Sequence, residues 1–504
     1  MIFTIALRNL ARHKVKTVLT ATAITVSVAV YIFISSWLGG MAVESRRNIV
    51  NYDMSAAKLQ TKLYFEMKDE KPSYESFTNW QQYRDALDKE GYNSTPRFVF
   101  SGMLFSNYGS APMTFNAVDV DGERKVLHYV DYVEFGRYPQ SGTFEIAVGM
   151  MAAEKLRVGI PTRPRRMELE EFIDHVAQNE DNRLFINSLY ETAAAPTGFF
   201  TVTPKDTADG NERMILKRSA SSAELNKLWD LLAATDRNNV RINAVIDVLD
   251  DGVVRHINQL VDAVVVGVIN SPDPVPNGNT AYIPMDALQD DAGMRLEGAV
   301  TELLIRKQGV AYTDLPSADE SAAAITAALK RAGTVPDSLG VFFWLDYMSD
   351  YLGYEAMQTG APQVIAFLLL FLSFLGISNT VLLAILERTK EISMMRALGM
   401  TDRQLITAYM TEAGILGFVG SVFGMILGCA INYPMVKYGW DLSEMADSLG
   451  GGIGFRLTSV LRSAWNIPLV FGAGISATLV AAVMAYFPTK RAVKMPITDG
   501  LKFD

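Results

Sequence analysis

The sequence predicts a membrane α-helical protein, with four transmembrane helices, plus an α+β extracytoplasmic domain. Three observations carry this class. Four stretches are apolar, nearly free of charge, and long enough to cross a hydrocarbon core of roughly 30 Å. Residues 41–360 contain no such stretch and alternate instead like short strands between turn residues. The composition is split to match: 49% hydrophobic is high for an aqueous protein, while 20% charged is too much for an intramembrane bundle alone.

Residues 1–16 are basic and amphipathic, with Arg8, Arg12, Lys14 and Lys16 set against Ile2, Phe3, Ile5, Leu7 and Leu10. A cytoplasmic helix here would lie in the headgroup region with its cations toward anionic lipid. Residues 17–40, TVLTATAITVSVAVYIFISSWLGG, form the first span. They are too long for a signal-peptide core, and no small-x-small cleavage site follows closely. Their Thr and Ser hydroxyls suit a span that faces protein, since they can bond to their own backbone or across helices.

Within 41–360, Arg97–Phe105 and Met113–Val120 read as a hairpin around NYGS. Glu145–Leu156 reads as a strand running into a short helix, and Val261–Ile269 and Val300–Lys307 as further strands. Ser317–Gly333 has an acidic first turn and a glycine stop, the marks of a helix. Between 161 and 240 the pattern loosens into two helix-like stretches around a polar segment, which reads as an insertion.

The second span is 361–386, uncharged from Ala361 to Ile385. A charged segment, ERTKEISMMRALGMTDR, follows within 387–404, then the third span at 405–436. A Gly-rich extracytoplasmic loop (437–466), a fourth span (467–488) and a basic tail (489–504) complete the chain. Arg and Lys beside spans favour the cytoplasm. The N-terminal segment, the 387–404 segment and the tail hold most of them, so both termini are expected in the cytoplasm and the large domain outside it. Arg46 and Arg47, just past the first span, point the other way and are outweighed.

Several chemistries are absent from the sequence. No GxxxxGK[ST] phosphate loop occurs, nor GxSxG or HExxH. His13, His128, His175 and His256 are scattered without ligand spacing, and the lone Cys429 lies in an apolar run, so no metal site is expected. The net charge of −9 argues against nucleic acid as a partner. No catalytic residue and no cofactor bound by this chain are expected.

Three features carry information. Gly420, Gly424 and Gly428 are four apart on the third span, where they line one face and admit another helix closely, within the chain or between subunits. Glu412, near the cytoplasmic mouth of that span, is either a functional intramembrane acid or a partner for Arg403 or Arg388. In the 387–404 segment, Ile392, Met395 and Leu398 recur every third residue as one apolar stripe. Such a stripe fits either a solvated connector helix or a docked one.

The segment ERTKEISMMRALGMTDRQL resembles the coupling segment of ABC transporter permeases of the MacB/FtsX/LolCE superfamily. Glu387, Arg388, Glu391, Ile392, Arg396, Ala397 and Gly399 match that pattern, and Ser393 stands where the family usually has glycine. Ile5–Ile24 resembles the family's opening and Tyr486–Lys502 its close. GRYPQSGTFEIAVGMMAAEKLRVG and NTAYIPMDALQ are similar to its extracytoplasmic domain, of MacB-like periplasmic type, whereas the 161–240 insertion has no counterpart there.

The resemblance implies a multi-pass permease of the bacterial inner membrane, paired with a second permease subunit as homo- or heterodimer. A separate ABC ATPase dimer, holding the ATP and Mg, would receive the seven matched residues in a groove. Mechanotransmission would then move the outer domain, without substrate crossing a central channel. The spans lack the charged pathway that transport of polar solutes would need. Three functions follow: lipoprotein release of the LolC/LolE type, MacB-type efflux of antibiotics or peptides, and FtsX-like activation of a cell-wall hydrolase. One span, a large outer domain and three further spans without a fused ATPase favour the first. Its outer partner would be a periplasmic lipoprotein or chaperone.

Overall fold

A computed structural model describes residues 14–159, 164–192, 212, 214–217, 219–233, 235–250, 253–290, 298–311, 314–317, 320–333, 335–348, 389–441, 460–494 and 496, with isolated positions between 360 and 371. The expected second span, most of residues 1–16, Glu387, Arg388 and most of the 437–466 loop and of the tail lie outside the described residues. So does part of the 161–240 insertion. The described residues fall into two compact units, one within 45–349 and the other within 14–44, 389–440 and 460–494.

Helix α1 (Lys14–Ile49) is longer than the expected first span, and it ends in a π-helical turn, Val50–Met54. The sheet unit follows. Its strands are β1 (Ala57–Thr61), β2 (Tyr92–Ser106), β3 (Gly109–Val118), β4 (Val133–Gly136), β5 (Glu145–Gly149), β6 (Tyr190–Thr192), β7 (Met214–Leu216), β8 (Asn239–Asp250), β9 (Val253–Ile269), β10 (Thr280–Pro284), β11 (Glu302–Lys307) and β12 (Leu339–Phe343). Ten of these make one sheet, in the order β12-β1-β11-β2-β3-β10-β5-β9-β4, with β8 paired to both β2 and β9. Strands β2, β3, β10, β5, β9 and β8 therefore close into a ring. Closure of this kind leaves no edge within the ring, while β12 and β4 end the order outside it. Only β10 with β3 and β5 with β9 are parallel among the ladder pairs described.

Alternation explains the core. Phe98, Phe100 and Leu104 of β2, Met113, Phe115 and Ala117 of β3, Ile146 and Val148 of β5, and Ile242 and Ala244 of β8 all enter one buried cluster. The β2–β3 hairpin closes tighter than NYGS suggested, with Ser106 opposite Gly109. The Ser106 hydroxyl takes the Tyr108 and Gly109 N–H groups that this turn leaves over.

Helices α2 (Trp80–Lys89), α3 (Met150–Leu156), α4 (Arg166–Val176), α5 (Glu180–Leu189), α6 (Ser222–Ala233) and α7 (Ala322–Ala332) clothe the sheet. Leu169, Phe172, Ile173 and Val176 place one face of α4 in the main core, as their i, i+3, i+4, i+7 spacing requires. Ile186 and Leu189 of α5 and Leu228, Trp229 and Leu232 of α6 join the same cluster. The described part of the insertion thus shares the sheet's core. It holds one helix more than the sequence suggested, and the small hairpin β6–β7.

The other unit is helical. Besides α1 it contains α8 (Thr389–Ala397), α9 (Asp402–Lys437), α10 (Ile467–Met484) and α11 (Tyr486–Val493). Among the described residues three helical stretches, Thr17–Met54, Asp402–Lys437 and Ile467–Val493, are long and apolar enough to cross a membrane. Membrane-type helices and a sheet-rich α+β unit in one chain fit a permease.

Candidate functional site

The short helix α8 owes its position to four local devices. Ile392 is only 1% exposed and packs with Leu405 and Tyr409 of α9 and with Ala492 and Val493 of α11. Behind it the chain turns sharply at Gly399, whose φ of +96° strains any residue with a side chain. There the Gly399 N–H bonds to the Arg396 carbonyl at 3.0 Å and the Met400 N–H to the Met395 carbonyl at 3.1 Å. These two bonds satisfy carbonyls that the end of α8 would otherwise leave over, in the Schellman arrangement. Helix α9 then starts from a capping box. Thr401 Oγ1 accepts from the Gln404 N–H at 3.4 Å, and Gln404 Oε1 accepts from the Thr401 N–H at 3.0 Å. Arg396 Nε lies 3.2 Å from Asp402 Oδ1 and bridges the corner.

The expected apolar stripe does not hold as one face. Each step of three residues turns 300°, so Leu398 has swung about 120° away from Ile392. The helix also stops at Ala397. Consequently Ile392 and Met395 face inward with the α9–α11 cluster, whereas Leu398 is 86% exposed. Met394, 51% exposed, Ala397 and Gly399 share that outer surface, and Glu391 and Arg396 are half-buried at its margin. Sequence reasoning passed over Met394 because it lies off the three-residue repeat. Its spacing of four from Leu398 was the available signal.

The glycine row is filled by the chain itself. A Cβ on Gly420 would come 2.8 Å from Ile24 Cβ, one on Gly424 2.8 Å from Val28 Cβ, and one on Gly428 3.1 Å from Ile32 Cβ. Partners rise together along both sequences, so α1 and α9 run parallel here. The Thr25 hydroxyl bonds back to the Ala21 carbonyl at 2.8 Å and is also 3.0 Å from the Gly420 carbonyl. It thereby plays both parts expected of a hydroxyl in this span. Helix α10 packs antiparallel on another side of α9: Gly414 and Gly417 meet Ala482 and Ala481, while Gly474 meets Met425. Ser421 and Thr478 link the pair at 3.2 Å. Glu412 is half-buried on α9, ten residues into the helix.

Among the described residues no group of three or more His, Cys, Asp or Glu side chains could hold a metal ion. The arrangement sets exposed apolar side chains, Met394 and Leu398, on a helix packed against its neighbours.

Residues 363–497 match the family model described as FtsX-like permease C-terminal. An uncharacterized ABC transporter permease of Methanocaldococcus jannaschii is 30% identical over 138 residues, covering 27% of this chain and 31% of that one. The ABC transporter permease YtrF of Bacillus subtilis is 27% identical over 133 residues, covering 26% and 29%. The macrolide export ATP-binding/permease protein MacB of Nitrobacter winogradskyi is 24% identical over 139 residues, covering 28% and 18%. In each case the match spans less than a third of the curated relative's length. The C-terminal part of the chain, residues 363–497, is thus similar to the FtsX-like permease domain of the ABC transporter permeases.

Proposed function

We propose that this chain is the permease subunit of a mechanotransmitting ABC transporter, with α8 as the joint to a separate ATPase. The observation that carries the reading is the outer surface of α8: Met394 and Leu398 stand in solvent on a helix whose inner face is fixed by Ile392. An exposed apolar pair on a rigid support is the anatomy of a docking knob. Among the seven matched residues, Ala397 and Gly399 would touch the ATPase and Ile392 would position them. Arg396 would hold the corner through Asp402. ATP and Mg would sit on the partner, and a second permease subunit would complete the assembly.

The membrane arrangement proposed is four spans in a bacterial inner membrane, with both termini cytoplasmic. The parallel course of α1 and α9 supports it, because two helices crossing in one direction need a return crossing between them. Residues 361–386 are the uncharged stretch available for that return. The sheet unit, of MacB-like periplasmic type in this reading, would then lie outside the cytoplasm and meet lipoprotein or chaperone.

For the work done outside, lipoprotein release follows from the LolC/LolE resemblance. Export of a small molecule or peptide is the second reading, favoured by the macrolide-exporting name of the MacB relative. Copurification from membranes separates them from each other and from FtsX-like signalling. Acylated lipoproteins bound to the complex support the first, export of a fluorescent macrolide by the reconstituted complex the second, and a bound cell-wall hydrolase would overturn both. For the joint, Leu398→Asp should cut the copurified ATPase at least tenfold while membrane insertion stays normal. Undiminished ATPase would show that this surface is not the joint.

A further inference from the structure

Between α1 and β1 the chain passes through the π-helical turn Val50–Met54, closed by Ser55 at φ 61°. Single π turns are rare and frequently mark functional positions. This one is held by its neighbours in the sheet unit. The Asn51 carbonyl accepts from the His128 N–H at 2.9 Å, and the Tyr52 and Tyr132 hydroxyls are 3.2 Å apart. The Asp53 carbonyl accepts from Arg97 at 3.4 Å. The short helix Pro274–Asn277 also packs against the turn, and the cap of that helix is Asp273.

Asp273 is 1% exposed. One oxygen, Oδ1, accepts from the Val275 N–H at 2.9 Å. The other, Oδ2, is buried without a hydrogen-bond partner among the described residues, and so is the hydroxyl of Tyr282 on β10. An unpartnered buried carboxylate oxygen is strongly disfavoured unless it holds a proton or a ligand. Burial above all, and then the Asp53 charge, lift the Asp273 carboxyl to about 7. Asp53 acts on Tyr282 as well.

The remaining groups nearby are matched: the His128 imidazole, beside the turn, lies 3.5 Å from Asp131 and its pKa is pushed down chiefly by burial. Arg97 is paired with Glu123, and Glu302 lies 3.9 Å from Arg97. Tyr129 donates to Glu123 at 3.0 Å, and the hydroxyls of Tyr129 and Tyr138 are 2.7 Å apart. Helix Pro274–Asn277 has no charged side chain. On α3, which packs against it, Glu154 and Lys155 face solvent. On β5 Glu145 is held by Arg137. Calcium and magnesium want six or more oxygen ligands. A single unmet carboxylate oxygen suits a proton better.

We propose that Asp273 Oδ2 carries an exchangeable proton, which keeps the 273–277 loop seated on the turn after α1 by leaving the buried carboxyl uncharged. The step is a simple ionisation: the O–H bond of the carboxyl breaks, the proton leaves to water, and two carboxylates then repel across the joint. The closed joint binds the proton more tightly than the open one, where Asp273 would titrate in the ordinary carboxylate range. Closure is therefore most stable in acid, weakens as pH rises toward the folded value, and levels off above it. The joint is proton-sensitive in the range where water-exposed carboxylates are not. The residues involved all belong to the sheet unit, so the proposal stands apart from any particular transport cargo.

Hydrogen exchange of residues 49–55 in the full chain, reconstituted in nanodiscs and corrected for intrinsic rates, tests this. Between about pH 5 and about pH 7 protection should fall about tenfold per pH unit and then level off. Asp273→Asn keeps the acceptor for the Val275 N–H and mimics the protonated acid, so its protection should be flat over that range. Asp53→Asn should move the titration toward acid by removing the repelling charge. Infrared spectra should show a protonated-carboxyl band that disappears over the same range and is missing from Asp273→Asn. A flat wild-type profile without that band would overturn the proposal. An unchanged slope in Asp273→Asn, or in Asp53→Asn should the first variant fail to fold, would do the same.

Discussion

At Gly424 a single hydrogen atom decides the spacing of two helices. A Cβ there would sit 2.8 Å from Val28 Cβ and 2.9 Å from the Thr25 carbonyl, both on α1. Gly424→Leu should therefore push α1 off α9 at a cost of about 1–3 kcal/mol, the usual range for overpacking. It should show as a lowered midpoint of thermal unfolding in detergent. Val28→Ala in the same chain should recover part of the loss, because the added atoms would enter the space that valine vacates. Destabilisation unaffected by Val28→Ala would mean that the two positions are not opposed. The row itself was legible in the sequence, since glycines four apart share one face. Whether it was met by the same chain was not legible, because spacing says nothing of what stands opposite.

Helix α8 shows what periodicity can and cannot give. The sequence revealed a short amphipathic helix between two apolar runs, and the structure places a helix there at Thr389–Ala397. A three-residue repeat reads as one stripe, yet on a 3.6-residue helix it spirals. Ile392 faces inward and Leu398 outward as a result. Truncating each should separate the roles. Ile392→Ala should loosen the packing of α8 by about 2–4 kcal/mol, as removal of a fully buried side chain does, and hydrogen exchange along α8 should speed accordingly. Leu398→Ala should change that exchange little, since its side chain touches mostly solvent. Equal effects from both would contradict the division.

The sheet unit was legible as α+β from its alternation, and the β2–β3 hairpin and the β5–α3 junction from their turn residues. The closing strand β8 was not. Its residues follow the loose 161–240 stretch without a strand signal of their own, and only pairing with β2 and β9 makes the ring. The Arg97–Glu123 pair was equally hidden, since the two residues lie far apart in sequence and meet only through the fold.

For the molecule as a whole, the parallel course of α1 and α9 makes topology testable. With Cys429 replaced by Ala, a cysteine at Ser141 in the sheet unit and one at Lys390 on α8 should label from opposite sides of sealed vesicles. Both positions are exposed, so failure to label would not follow from burial. Labelling from one side alone would refute the proposed crossing between them. The same helices carry a further consequence. Ile24, Val28 and Ile32 step by four residues, as do the glycines they meet. A slip of α1 by one such step, about 6 Å along the axis, would set Val28 over Gly420 and Ile32 over Gly424, bulk again over void. The seam therefore works as a detent: it resists small displacements and offers a second resting place one notch away.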